Sequence, residues 1–176
     1  MHRPNRRTFV LSAGATAASI SLLSSAQGKA ESGDRIRLCI VGVRGRGRGV
    51  GLTFARLSQA QVTHVCDVNE PLMAPYAKQI ADVQKSPPKC VQDMRNVLID
   101  KSVDAIVVAT PDHWHGLATI WGCQHDKHVY VEKPVSNVAF DSHQAVAAAR
   151  KYKRIVQTGT QSRSVPHYLE AIDYIR

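Results

Sequence analysis

The sequence predicts an α/β domain on a doubly wound parallel sheet, and three observations carry that prediction. From Arg35 onward, short β-branched runs alternate with longer stretches of helical periodicity, the signature of βαβ units. One run, "DAIVVAT", is almost wholly apolar, as a strand covered on both faces should be. A glycine-rich turn, "GVRGRGRGVG" at 42–51, follows the first run directly and opens a helical pattern. With 176 residues, 44% hydrophobic and 21% charged, the chain has material for one such domain with a core, and two complete domains would not fit.

The first thirty residues stand apart. "MHRPNRRTFVLSAGATAASISLLSSAQGKA" has a basic start, a mildly apolar run from Phe9 to Leu23, and small residues suited to cleavage after Ala26 or Ala30. Arg6 and Arg7 are followed by Phe9 at the spacing of a twin-arginine export signal. The expectation is a signal peptide over 1–30, recognised by the twin-arginine export machinery and directing the protein to the periplasm or beyond. No stable membrane span is expected, because the apolar run is shorter than the ~20 residues a crossing needs. The formal charge of +9 first suggests nucleic acid. Arg3, Arg6, Arg7 and Lys29 lie in this leader, which holds no acidic residue; nine minus four leaves +5 for the rest. No aromatics interleave with the arginines of the glycine turn, so no nucleic-acid partner is expected.

Over 35–176 the elements follow in order. "RIRLCIVGV" (35–43) reads as the first strand, with a helix starting at Gly47 and running to Leu57. "VTHVCDV" (62–68) is the second strand and "NEPLMAPYAKQIADVQK" the next helix. A short strand near "KCVQD" (89–93) precedes a helix in "DMRNVLIDK", where Met94, Val97 and Leu98 share a face. "DAIVVAT" (104–110) leads into a helix over "DHWHGLATIWGCQHD", begun by a capping Asp112. "HVYVEK" (128–133) is the next strand, and "DSHQAVAAARKYK" a helix with Asp141 and Gln144 near capping-box spacing and a basic last turn. "RIVQTGT" (154–160) is the last strand. In "SVPHYLEAIDYIR" Ser164 and Pro166 are placed to start a helix, which stops at Arg176 without a cap or glycine, so the sequence reads as a piece of something longer. Cys39 and Cys66 fall in apolar runs, Cys90 and Cys123 are scattered, and all four read as unbridged, with no zinc-ligand spacing.

A glycine-rich turn between a buried strand and a helix is the context that gives Gly-x-Gly-x-x-Gly its meaning, and it makes the domain Rossmann-type. In that register the positions are Gly42, Arg44 and Gly47, around Val43, Gly45 and Arg46. Gly42 permits the turn and Gly47 the close helix–strand contact, while Arg44 replaces the glycine that admits a pyrophosphate. Gly45 offers a different path, and Arg44 or Arg46 can bring charge to the phosphates. Asp67 lies twenty residues past Gly47, near the spacing at which an acid accepts hydrogen bonds from the adenosine ribose hydroxyls. Val68 and Asn69 follow it, with no arginine to receive a 2′-phosphate. The expected cofactor is therefore NAD, with NADP kept open by Arg44 and Arg46.

Further on, "ATPDHWHGLATIWGCQHDKHVYVEKPVS" places Thr110 and Pro111 after a buried strand, His115 at a helix start, and Glu132, Lys133 and Pro134 after the next strand. This resembles the N-terminal domain of the glucose-fructose oxidoreductase, inositol dehydrogenase and MocA (Gfo/Idh/MocA) family over about residues 35–176; the leader and the "VRGRGRG" turn resemble its exported members. The resemblance implies that Thr110 and Pro111 border the nicotinamide side of the cofactor and that Asp112 to His115 shape the same crevice. It puts Lys133 beside the nicotinamide and the substrate carbon, able to polarise a hydroxyl or move its proton. Glu132 would line the cofactor, Pro134 would fix the turn, through a cis bond in one version, and Gln161 and Arg163 would approach cofactor or substrate.

The implied protein is an NAD-dependent oxidoreductase acting on a sugar, polyol or related alcohol, with a second α/β domain that this chain lacks. Alone, the chain is expected to bind dinucleotide without turnover; for the full-length protein a homo-oligomer is left open. Two other readings stand beside it. One is an NAD-dependent glycoside hydrolase that oxidises its sugar transiently, in whose members the lysine of Glu-Lys-Pro is replaced; the other is a noncatalytic dinucleotide-binding module. Trp114 and Trp121, at helical spacing, read as packing. His113 and His115, two apart, diverge on a helix, so no metal site is expected.

Overall fold

The structure, a computed structural model, describes residues 35–176; the expected signal peptide at 1–30 lies outside them. Six parallel strands form one sheet in the order β3-β2-β1-β4-β5-β6. They are β1 (Ile36–Val41), β2 (Ala60–Cys66), β3 (Lys89–Val91), β4 (Ala105–Val108), β5 (His128–Glu132) and β6 (Val156–Gly159). Each strand sits within one of the segments expected for it except β2, which begins two residues earlier. The sequence order reverses between β1 and β4, the switch point beside which open α/β sheets bind ligands at their carboxyl ends.

Alternation along β1 sorts its side chains to two cores. Cys39 and Val41 join Cys66, Ile106 and Val108 beneath α3 (Met94–Leu98), α4 (His115–Gln124) and α5 (Ala139–Lys151). Ile40 turns the other way, joining Val62, Val65 and Val107 under α1 (Gly45–Ala55) and α2 (Glu70–Gln84). The sheet is thus covered on both faces. α6 (Pro166–Ile175) begins on its proline as expected and ends the described chain. Cys39, Cys66 and Cys123 are buried, Cys90 is exposed, and none is bridged.

Three helix starts differ from the sequence expectation, each for a local reason. α1 begins at Gly45 and ends at Ala55 instead of spanning Gly47 to Leu57, because Gly45 takes φ +43 and turns the chain into the helix immediately after Arg44. α4 begins at His115, not at a capping Asp112: a 3-10 turn over Asp112–Trp114 comes first, closed by the Trp114 amide on the Pro111 carbonyl at 3.0 Å. α5 begins at Ala139, two residues before the expected capping box, so Asp141 lies inside its first turn and caps nothing. Its β-carbon instead abuts Gly116 of α4, where an added side-chain carbon would stand 2.8 Å away. Contact between the two helices overrides the capping signal.

Candidate functional site

The glycine turn is held at three points. The Gly42 amide donates to the Cys66 carbonyl at 2.8 Å, the Val43 amide donates to Asp67 Oδ2 at 2.9 Å, and Ala109 N–H donates to the Val41 carbonyl at 2.8 Å. These bonds bring the ends of β1, β2 and β4 together. Gly42 has φ +88 and lies against the β4 backbone, so that a β-carbon there would stand 2.6 Å from the Ala109 carbonyl oxygen. A β-carbon on Gly47 would collide with the Gly42 carbonyl oxygen. Gly47 is therefore the close-packing glycine expected from sequence. Gly45 faces open space on the border of a cavity, and it supplies the open backbone approach that Arg44 denies the motif. The first turn of α1 contains no acidic residue and starts at the cavity border, where the free N–H groups of a helix start suit phosphate.

That cavity has a volume of about 1040 Å³ and runs along the carboxyl ends of β1, β2 and β4. Gly42, Arg44 and Gly45 form one end, and Asp67, Val68 and Asn69 border it beyond β2. Thr110 and Pro111 border it beyond β4. Asp67 is half-buried; its Oδ1 accepts the Asn69 amide at 2.9 Å, which leaves carboxylate lone pairs facing the cavity. The Thr110 hydroxyl oxygen is buried and has no hydrogen-bond partner among the described residues. A cradle that only glycine fits, a helix N-terminus, a carboxylate and an orphaned hydroxyl together suit a dinucleotide. Cys66 also lines the cavity, but burial pushes its thiol up to about 12, so it is a neutral wall atom rather than a nucleophile.

Several other residues singled out from sequence lie off this cavity. Arg46 does not face phosphates: its Nε donates to Glu132 Oε1 at 2.7 Å, and the Tyr130 hydroxyl donates to the same oxygen at 3.3 Å. Glu132 is buried at the end of β5 and ties that strand to α1 instead of lining the cavity. Arg48 Nε donates to Gln79 Oε1 at 2.9 Å. Of the three arginines in the turn, Arg44 alone has no side-chain hydrogen bond among the described residues, and it borders the cavity.

His115, expected in the crevice, is buried behind it. Its Nδ1 lies 2.6 Å from the Pro134 carbonyl oxygen and its Nε2 2.9 Å from that of Thr110, so one imidazole bridges the loop after β4 and the turn after β5. Lys133 is exposed on that turn, and the Lys133–Pro134 bond is cis. Asp112 is exposed in the 3-10 turn, and Gln161 and Arg163 are exposed in a second such turn after β6. Of Asp112 to His115, expected to shape the crevice, His113 and Trp114 line the cavity; sequence reasoning missed the rest of its far wall, Gln92, Asp93, Met94 and Arg95 after β3, and Trp121. The four after β3 follow a strand end, the position at which such sheets place their sites, and that signal was available. No group of three metal-ligating side chains converges among the described residues, and no helix among them is long and apolar enough to cross a membrane.

Residues 36–160 match the Gfo/Idh/MocA "Oxidoreductase family, NAD-binding Rossmann fold". A glycosyl hydrolase family 109 protein from a Shewanella species is 27% identical over 154 residues, covering 75% of this chain. The chain spans only 34% of that relative's own length. An NAD-binding protein from Listeria innocua, 27% identical, superposes with a TM-score of 0.62 over 74% of this chain and 35% of its own. Scyllo-inositol dehydrogenase from Lactobacillus casei, solved with NAD(H) and scyllo-inositol, is 19% identical and shares the fold with a TM-score of 0.69 over 80% of this chain and 41% of its own. Together with the glycine cradle, these matches establish that the chain belongs to the Gfo/Idh/MocA oxidoreductase family and carries its NAD-binding Rossmann domain.

Proposed function

We propose that this chain is the cofactor-binding part of an exported enzyme that oxidises a sugar, polyol or related alcohol. The observation that carries the reading is the coincidence, on one cavity, of the Gly42–Gly45–Gly47 cradle with the Asp67 carboxylate at the end of β2. In this reading the α1 N-terminus and Arg44 hold the pyrophosphate, Asp67 accepts the adenosine ribose hydroxyls, and Thr110 and Pro111 border the path to the nicotinamide. Bound NAD supplies the hydride acceptor. Lys133 polarises the substrate hydroxyl or moves its proton, and His115 fixes the turn that carries it. The paired arginines of the leader support export by the twin-arginine route to the periplasm.

A second reading is favoured by the similarity to glycosyl hydrolase family 109 proteins: an NAD-dependent glycosidase that oxidises its sugar transiently. Lys133 argues for the dehydrogenase. In a longer form that includes a second domain, net NADH from a polyol supports the first reading, and aglycone release without net NADH supports the second. For the chain itself the test is calorimetric titration of NAD into the wild type and Asp67→Ala. The variant is expected to bind at least about tenfold more weakly, the equivalent of one lost charge-assisted hydrogen bond. Equal affinities would overturn the cofactor assignment.

A further inference from the structure

The cavity is longer than the glycine cradle and Asp67 require. Beyond them it is lined by Met94 of α3, by Ala118 and Trp121 of α4, and by Trp114 of the 3-10 turn before α4. The sequence contains only two tryptophans, and both line this cavity, with ring centroids 6.3 Å apart and planes tilted by 56°. Trp121 packs against the core below, whereas Trp114 is 42% exposed at the mouth. A large aromatic surface half open to water beside an apolar recess is a binding surface in want of an apolar face.

Gln92, Asp93 and Arg95 around this recess are already engaged, and His113 beside Trp114 has no side-chain hydrogen bond among the described residues. Gln92 Nε2 donates to the Val68 carbonyl at 3.1 Å, and the Asp93 carboxylate receives Arg95 Nη2 at 2.6 Å and the Arg95 amide at 2.9 Å. What remains is an apolar wall with a single imidazole, His113, at its rim, suited to a flat heteroaromatic ring. Val68, Asn69 and Gln92 continue the lining from Asp67 to the recess, while Glu132 and Lys133, toward which the proposed function directs the nicotinamide, are not on the cavity.

Resting on the NAD-domain reading, we infer that Trp114, backed by Trp121, is the wall on which the adenine base stacks, making the tryptophan pair the anchor for the adenosine half of the dinucleotide. The chain should therefore bind ADP-ribose nearly as well as NAD and should bind nicotinamide mononucleotide poorly.

The test uses the 176-residue chain and its intrinsic tryptophan emission, which arises wholly at this cavity. NAD and ADP-ribose are expected to change that emission, and nicotinamide mononucleotide to leave it unaltered. Trp114→Leu is expected to weaken ADP-ribose binding by roughly 5- to 150-fold, the range for a lost base–aromatic stack, and Trp114→Phe to retain most of it. Trp121→Phe leaves Trp114 as the sole emitter; its response to ADP-ribose should persist, which keeps the inference testable if Trp114→Leu fails to fold. The inference is overturned if calorimetry shows NAD bound while the emission of the wild type does not change, or if folded Trp114→Leu binds ADP-ribose as tightly as wild type; either result leaves the NAD-domain reading intact. Failure of the wild type to bind NAD at all would remove both.

Discussion

Replacing Gly45 and Gly47 separately by alanine should split stability from binding. At Gly47 the new methyl would collide with the Gly42 carbonyl oxygen and lie 3.1 Å from the Ala109 β-carbon. The obstacle is backbone pinned by the Gly42–Cys66 and Val43–Asp67 bonds, so the turn cannot yield cheaply. Overpacking of this kind costs about 1–3 kcal/mol, and a rigid obstacle places Gly47→Ala near ~3 kcal/mol. At Gly45 nothing lies within 4 Å, and the cost comes from φ +43 alone. A left-handed L-residue costs about 1–2 kcal/mol, offset by roughly 0.4–1 kcal/mol from the stiffer unfolded chain, which leaves about 1 kcal/mol. Urea unfolding of the two variants measures these values. Titration with NAD should then show the reverse ranking: the Gly45→Ala methyl stands where the helix N-terminus meets the cavity and should weaken binding about tenfold or more. If Gly45→Ala costs as much stability as Gly47→Ala, or binds NAD like wild type, Gly45 is not the residue that replaces the missing second glycine.

Two further outcomes follow from buried polar groups. Thr110→Val removes a buried hydroxyl that has no partner, so the ligand-free protein should gain about 1 kcal/mol while NAD affinity falls; unchanged affinity in calorimetry would mean that the hydroxyl meets no ligand. His64 is 4% exposed, and burial lowers its pKa below the ordinary 6.5, with Asp100 opposing that shift and Lys89 adding to it. Below pH 6.5 the unfolded chain binds a proton that the folded chain resists, so His64 contributes stability above that pH that is lost as pH falls toward its folded value. The slope is at most about 1.4 kcal/mol per pH unit for one proton. Urea midpoints from pH 7 to 5, expected to fall in the wild type and to flatten in His64→Gln, measure it, and identical slopes would assign the loss elsewhere.

The sheet was legible because each strand announces itself: Ile106 to Val108 can only be buried on both faces, and the glycine turn can only follow a strand it closes against. Side-chain partners were not legible. Arg46 and Glu132 lie 86 positions apart and meet only because β5 ends beside the first turn of α1, so a residue expected to carry charge to a phosphate is neutralised by one expected to line the cofactor. Asp141 carries a sound capping signal and is overruled by the closeness of α5 to α4 at Gly116. Trp114 and Trp121 have the spacing of packing residues, and only Trp121 behaves as one; nothing local to the sequence reveals that the 3-10 turn before α4 leaves Trp114 at a cavity mouth.

These displacements share a direction. The groups to which the proposed reading gives the phosphate and adenosine portions of the dinucleotide share one cavity: Arg44 and Gly45 at the start of α1, Asp67 and the tryptophan pair. The groups expected to perform chemistry lie outside it, with Lys133 exposed on its turn and Gln161 exposed after β6. Proton transfer from a substrate hydroxyl in water is uncompetitive unless the site excludes solvent and fixes the substrate, and no described residue covers Lys133. His115 nevertheless fixes the turn that carries Lys133 to the Thr110 loop that borders the cavity. In the proposed reading binding and chemistry thus occupy different parts of this fold: the first uses the carboxyl ends of the sheet and its glycine turn, and the second the Glu132–Pro134 turn that His115 ties to the border of the cavity.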